Sequence, residues 1–506
     1  MQPMQPSELD DIIREAYRLV EPSKTTRAKI GSIAEIYLKR VKDIAAEYRE
    51  DVRDVILVGS YAKDTWLAES VDLDIFLKVR PEVDEERFEH IAMDVGLRAL
   101  HEHSPYLRYA QHPYVEARVD GVRVNIVPCY DVEIGRWRSA ADRSPYHTQY
   151  MLNALDDAKR REVRLLKRFM KVIGVYGAEI AVQGFSGYVC EVLILRYGSF
   201  LNTLENASRW REREVITVVT VVDDGSRVDT REQKGGMDNN SKYDNNNNSS
   251  SSPIIILDPV DTNRNLGLAI SYESVGRFIL SARSFLRKPS IDYFTYTSTP
   301  YEPSSIGHSN LRNIIIVYFE HKPRSEDIIW GQLKSSTNAI VRQLSINDFK
   351  VLKYTCYTDG SSAFISLMLE SLNIPRLVVK QGPKVFDRHN AERFISKNRN
   401  TLLWISNEDG RLLALAERRF HNAKDMLNHI MGKGLESSGI SKGLLDDIRV
   451  NGYRIYTGDE VIEEVRGEGG GGGDVKACYI SGDIASIAKK IIKYMLVNDR
   501  FAFADE

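Results

Sequence analysis

Residues 59–79, GSYAKDTWLAESVDLDIFLKV, constrain what this chain can fold into more than any other stretch. The apolar run DVILV ahead of them reads as a short strand that stops at Gly59 and Ser60, and YAKDTWL follows as a helical turn. VDLDIFLKV then alternates apolar and polar positions, which predicts a half-buried strand. Gly59 lets the backbone approach a ligand closely. Ser60 offers a hydroxyl at the start of a helix whose N–H groups favour anions, and Lys63 adds a cation one turn later. Asp72 and Asp74 alternate with apolar residues on the second strand, so both point to one face, opposite phosphates seated on the turn. Crowded carboxylates repel unless a cation lies between them, and hard oxygen donors together with triphosphate oxygens suit Mg2+. The chemistry implied is in-line attack of an RNA 3′-hydroxyl on the α-phosphorus of a nucleoside triphosphate, with metal ions activating the hydroxyl and neutralising the leaving pyrophosphate. A lone Gly-Ser or Asp-x-Asp carries no such meaning; the order strand, turn, helix, strand does.

The chain has 506 residues, 42% of them hydrophobic. At roughly 100–200 residues per domain, this predicts three domains. We place a catalytic head with a mixed sheet at 1–150, a helical neck at 151–308, and an α+β body with a helical tail at 309–506, an α+β multidomain class. The formal net charge is −2, so an RNA partner would need basic groups concentrated on one surface. Cys129, Cys190, Cys356 and Cys478 form no CxxC pair, which argues against a zinc site and a disulfide framework; they read as small buried hydrophobes in a reducing compartment. The N-terminus is acidic and lacks an apolar core, so it is no signal peptide. No run of about 18 apolar residues occurs. A soluble, cytoplasmic protein with no membrane partner is expected.

Helical spacing from Ser7 to Arg49 predicts two helices, and a further helix is expected between Glu85 and Ser104. YVEARV and VRVNIVPCYDV flank Asp120-Gly121, a hairpin signal. Amphipathic helices fill Met151 to Phe200. The Asn/Ser-rich stretch at about 223–252 buries too little to offset its ordering entropy and is expected to be a disordered insertion. SPIIILDPV resumes as a strand, followed by a helix from Leu266 to Arg287. Beyond Gly307, strand and helix patterns alternate as in an α+β sandwich; Phe386 to Lys433 reads as helical and basic, and GEGGGGGD as a second flexible loop.

The run GSYAKDTWL resembles the signature of class I (archaeal-type) CCA-adding enzymes, within the polymerase-β-like nucleotidyltransferase superfamily. HPYVEARVDGVRVNIVPCY, DRSPYHTQY, EVRLLKRFMKVIGVYGAEI, GFSGYVCEVLILRYGSF, LDPVDTNRNLG and QGPKVFDRHNAERFISKNR extend the resemblance from about residue 50 to 430. It implies template-independent addition of C, C and A to the 3′ end of tRNA from CTP and ATP, with Mg2+. By this resemblance Ser60 and Lys63 hold the triphosphate, Ser144 and His147 lie near the ribose, Lys167 and Tyr176 reach the phosphates, and Arg264 recognises the base with the growing RNA end. Read alone, Lys167 in KRREVRLLKR belongs to a solvated helix face and Tyr176 to core packing. His147 alone is a surface or capping residue, and Arg264 a helix-terminus charge.

One departure stands out. Where the family supplies a third carboxylate before VPCY, this chain has Asn125. An amide brings no negative charge and accepts no proton, so nucleotide binding should survive while chemistry slows. The residue is either a change that traps a complex before reaction or a natural variant with weak activity. Asp120 and Asp131 lie too far along the strand to replace it. For tRNA, the basic candidates are Lys159 to Lys171 and Arg388, Arg393, Lys397, Arg399, Arg418 and Arg419, with Phe386, Phe394 and Phe420 among them read as core. The resemblance implies that the C-terminal part grips the acceptor stem and T-loop by shape, and it leaves a homodimer open. Two other readings remain: a poly(A) polymerase or oligoadenylate synthase, and a tRNA-binding protein with an inactive head.

Overall fold

The structure, a computed structural model, describes residues 6–109, 111–218, 252–295, 311–458 and 460. The Asn/Ser-rich segment up to 251, the Gly-rich loop, Cys478 and the boundary near Gly307 lie outside the described residues. Two compact units divide the chain between Thr299 and Pro300, each considered on its own below.

The first unit opens with α1 (Pro6–Val20) and α2 (Lys24–Ala45), the two helices expected from periodicity. Then come β1 (Val52–Val58), a single helical turn α3 (Gly59–Ala62), β2 (Asp72–Val79), α4 (Glu85–Leu100), β3 (Tyr106–Tyr109), β4 (Pro113–Val119) and β5 (Val122–Tyr130). They form a sheet of order β1-β2-β5-β4-β3 in which only β2 and β5 run parallel. Asp120 and Gly121 both take positive φ, 48° and 86°, as the tight β4–β5 hairpin requires. One face of this sheet buries Leu73, Ile75, Val124 and Ile126 against α2 and α4. The alternation that hides them turns Asp72, Asp74, Arg123 and Asn125 to the other face.

The helical part of the unit comprises α5 (Arg143–Ala154), α6 (Asp157–Val172), α7 (Gly187–Tyr197), α8 (Phe200–Ala207), the short parallel pair β6 (Glu214–Ile216) and β7 (Ile254–Ile256), and α9 (Tyr272–Arg287). Phe169, Phe185, Phe200, Phe278, Phe285 and Phe294 build its core. α1, though first in sequence, buries Ala16 and Val20 in this helical core. Asp142, fully buried, accepts hydrogen bonds from the backbone N–H of Tyr130, Arg138 and Ser139, and so fixes the end of β5 to the start of α5.

In the second unit β8 (Ile314–Glu320), α10 (Glu326–Ile346), β9 (Val351–Thr358), β10 (Ser362–Leu369), β11 (Leu377–Lys384), α11 (Arg388–Lys397), β12 (Leu402–Ile405), β13 (Arg411–Glu417), α12 (Ala423–Met431), α13 (Lys442–Asn451) and β14 (Arg454–Thr457) follow in order. They make two sheets, β14-β8-β10-β9 and β11-β13-β12. The stretch from Phe386 to Lys433, read as helical, therefore also contains strands: LLWI is too short and apolar for a helix and pairs with β13. Cys129 and Cys190 are buried as expected, whereas Cys356 on β9 is only partly so.

Candidate active site

The turn after β1 sets the site. Gly59 has φ +76°, and a Cβ placed on it would lie 2.3 Å from Asp74 Oδ2, so only glycine lets the backbone pass this carboxylate. β1 and β2 bring this about by pairing Val58 with Asp74. The Gly59 N–H donates to Thr148 Oγ1 at 3.2 Å, and the Thr148 hydroxyl donates to the Ser144 carbonyl at 2.9 Å, which ties the turn to α5. The helix after the turn ends within one turn, because Asp64 takes φ +52°. Positive charge here therefore comes from side chains rather than from a helix dipole, contrary to the expectation for Ser60.

A cavity of about 370 Å3 opens on the turn. Gly59, Ser60, Lys63, Asp74, Asn125, Ser144, His147, Lys167 and Tyr176 all line it, brought together from β1, β2, β5 and the helices. Asp72 and Arg264 do not. Asp72 shares the face of Asp74 but lines a neighbouring cleft and pairs with Arg123 Nε at 3.1 Å. Arg264 reaches Asp258 Oδ2 at 3.3 Å.

Burial, reinforced by Asp72, pushes the Asp74 carboxyl up to about 6 against the opposing hydrogen bond from Asn125. Burial likewise raises Asp72, with Arg123 opposing. A carboxylate pair held in this way gains from a bound cation. Parallel pairing sets Asn125 directly beside Asp74, and its Nδ2 donates to Asp74 Oδ1 at 2.8 Å. Asn125 Oδ1 is buried without a partner, an oxygen left for an incoming ion or donor. Glu116 lies opposite Asn125 on β4 and is 3% exposed, but its oxygens are engaged by Tyr106 and Arg108.

Lys167 is not on a solvated face. It is 1% exposed, and its ammonium donates to the Thr65 carbonyl at 2.9 Å and to Glu191 Oε1 at 3.2 Å. Lys63 donates to Glu191 Oε2 at 2.5 Å, and Thr65 donates to Glu191 Oε1 at 2.6 Å. Burial alone would raise the Glu191 carboxyl; the two lysines outweigh it and hold it below the usual range. Burial pulls the Lys167 ammonium below its ordinary value, opposed by Glu191. At Gly187 a side chain would meet the Tyr176 hydroxyl at 2.9 Å and Lys167 Nζ at 3.4 Å, so this glycine keeps the cavity wall thin. Burial pushes the Tyr176 phenol far above its ordinary range.

His147 stacks on Tyr188 with ring centres 4.0 Å apart, and its Nε2 meets Asp258 Oδ2 at 2.8 Å. Asp258, fully buried, also accepts from Tyr188 and Arg264 and from the Val260 N–H. Glu191, Asp258 and Thr148 were not singled out from sequence. All three stand inside quoted motifs, GFSGYVCEVL, LDPVDTNRNLG and DRSPYHTQY, and that was the available signal. In the second unit Arg388, Arg393, Lys397 and Arg399 are exposed on and beyond α11, which buries only Ala391. Phe386, read as core, is 90% exposed.

Family models match along the chain: a nucleotidyltransferase domain at 38–147, the second domain of tRNA nucleotidyltransferase at 161–295, and the C-terminal domain of CCA-adding enzymes at 311–458. A CCA-adding enzyme of Methanocaldococcus jannaschii is 32% identical over 438 residues, 86% of this chain and 93% of that protein. Those of Saccharolobus shibatae and Sulfurisphaera tokodaii are 35% and 36% identical, covering 82% and 81% of this chain and 90% and 89% of theirs. The chain belongs to the CCA-adding enzyme family of tRNA nucleotidyltransferases.

Proposed function

We propose that this chain adds C, C and A to the 3′ end of tRNA from CTP and ATP at the cavity beside Gly59. The observation that carries the reading is the contact of the glycine turn with Asp74, which sets a carboxylate against the place where phosphates would be seated. Ser60, Lys63, Lys167 and Tyr176 bind the triphosphate. Lys63 spends one N–H on Glu191 and keeps others for phosphate oxygens; Lys167 spends its three on Thr65 and Glu191, so a phosphate oxygen takes the place of one of these partners. Ser144 and His147 face the ribose, with Asp258 and Tyr188 fixing the imidazole. Arg264, held by the same Asp258, is left to meet the base and the RNA end.

Asp72, Asp74 and Asn125 Oδ1 offer the hard oxygen donors that Mg2+ prefers, and the set is one negative charge short of three carboxylates. Bound Mg2+ supplies charge neutralisation and activation of the attacking 3′-hydroxyl. With Asn125 in place, nucleotide binding is retained and the chemical step is slow. Arg388, Arg393, Lys397 and Arg399 hold tRNA through its phosphates, so binding weakens steeply with salt.

The test is incubation of tRNA lacking its 3′ CCA with each triphosphate and Mg2+. Addition that stops after C, C and A supports the reading. Unbounded addition of A points to a poly(A) polymerase. Salt-sensitive tRNA binding with no incorporation, unrestored by Asn125→Asp, leaves a binding protein instead.

A further inference from the structure

The carboxylate pair is approached by two cavities. Asp74 lines the nucleotide cavity and Asp72 does not; Asp72 lines a second cleft of about 520 Å3, which Asp74 does not. Both residues lie on one face of β2, two positions apart, so the two spaces neighbour each other along that face. In-line displacement requires the attacking oxygen and the leaving pyrophosphate on opposite sides of the α-phosphorus. The lysines stand in the Asp74 cavity and take the triphosphate. The attacking strand must then enter along Asp72.

The second cleft has the chemistry for that strand. Lys29, Arg118 and Arg123 bring cations, and Thr25 and Thr26 bring hydroxyls from the first turn of α2, a helix of 22 residues with no acidic side chain there. Arg118 lies directly across from Arg123 on the neighbouring strand, on the same face as Asp72. Of the cleft's acidic residues, Glu69 pairs with Arg168 at 3.1 Å and Asp72 with Arg123 at 3.1 Å, while Asp120 sits in the exposed hairpin turn, its carbonyl accepting from Lys29 Nζ at 3.1 Å. Among the described residues, no aromatic or carboxamide side chain lines the cleft. Its cations can hold phosphodiesters, and it offers a base no aromatic ring and no side-chain amide.

We propose that this cleft, built by Lys29, Arg118 and Arg123 beside Asp72, binds the sugar–phosphate backbone of the RNA 3′ end without reading its bases. The inference rests on the function proposed above and deepens it. A surface blind to base identity accepts an end that has just gained its first C, or its second, as readily as the bare acceptor strand. Discrimination is then left to the nucleotide side.

The experiment measures binding of fluorescent acceptor-stem minihelices, ending at the position before the first C, after one C, or after both, to the full chain without nucleotide. Intact protein is compared with Lys29→Ala, Arg118→Ala and Arg118→Glu over a range of salt; ATP binding is measured alongside. Both replaced residues are exposed, so the variants should fold. We expect each alanine variant to bind RNA about 5–10-fold more weakly, with a salt slope shallower by about 0.7–1. The loss should be equal for all three ends and ATP affinity unchanged. Unaltered RNA affinity and slope in all variants overturns the inference while the intact chain still binds tRNA, as does a loss confined to one terminal base. An intact chain that binds no tRNA overturns the proposed function and the inference with it.

Discussion

Replacing Asn125 by Asp reverses the polarity of one contact at the centre of the site. Asn125 Nδ2 now donates to Asp74 Oδ1 at 2.8 Å. A carboxylate in its place removes a hydrogen bond to a charged group, about 1.5–3 kcal/mol. It also sets two like charges at about 4 Å, which at an effective dielectric near 20 costs about 4 kcal/mol. Asp74 is already held up to about 6, so the pair will keep a proton or open apart when no cation is present. The metal-free variant should therefore melt below the parent at pH 8, and Mg2+ should restore more stability to the variant than to the parent. With the third negative charge available to the attacking hydroxyl, the chemical step should rise on the order of 10²–10⁴-fold. Single-turnover incorporation of labelled CMP into tRNA lacking CCA, at saturating CTP, reads the rate; calorimetric melting with and without Mg2+ reads the stability. Equal rates, together with equal Mg2+ responses, would refute the reasoning.

Gly59→Ala forces a side chain into φ +76° and against Asp74 Oδ2. The backbone strain is about 1–2 kcal/mol, and displacing the carboxylate by about 1 Å should slow incorporation on the order of 10²-fold; a rate within twofold of the parent contradicts the close approach. Glu191→Gln leaves Lys63 and Lys167 as neighbouring buried ammoniums, so Lys167, already pulled down by burial, gives up its proton as pH rises. ATP affinity measured by calorimetry from pH 6.5 to 9 should fall by about 10-fold or more at the alkaline end, the size of a lost charged hydrogen bond, and a flat profile at parental affinity counts against the role given to Glu191. Divalent-cation affinity should rise with pH up to about 6 and level off above it, because the raised Asp74 carboxyl binds an ion only once its proton has left; an affinity independent of pH between 5 and 7 speaks against Asp74 as a ligand.

The part of the site written within one short segment was legible in the sequence. Gly59, Ser60, Lys63, Asp72 and Asp74 depend on a strand, a turn and a second strand, and alternation alone sets both carboxylates on one face. What escaped is what the third dimension decides. Glu191 meets Lys63 across 128 positions of chain, and Asp258 meets His147 across 111, so nothing local marks either as a partner. Lys167 looked solvated because its neighbours are basic; α6 turns it inward, where Thr65 and Glu191 satisfy it, and buries Arg164 as well, against Asp64 and Glu21. The same limit applies to Arg123, whose ion pair with Asp72 follows from strand register rather than from composition. In the second unit, β12 was hidden by its shortness within a basic, helix-like stretch.

The account stands on Asp72 and Asp74 gathering a divalent cation beside the seated triphosphate. Titrating Mn2+ into the chain without nucleotide, and following the free ion by its paramagnetic resonance, addresses this directly. The intact chain should take up the ion, and the Asp72→Asn/Asp74→Asn variant should leave it free. A variant that holds Mn2+ as tightly as the intact chain contradicts the account.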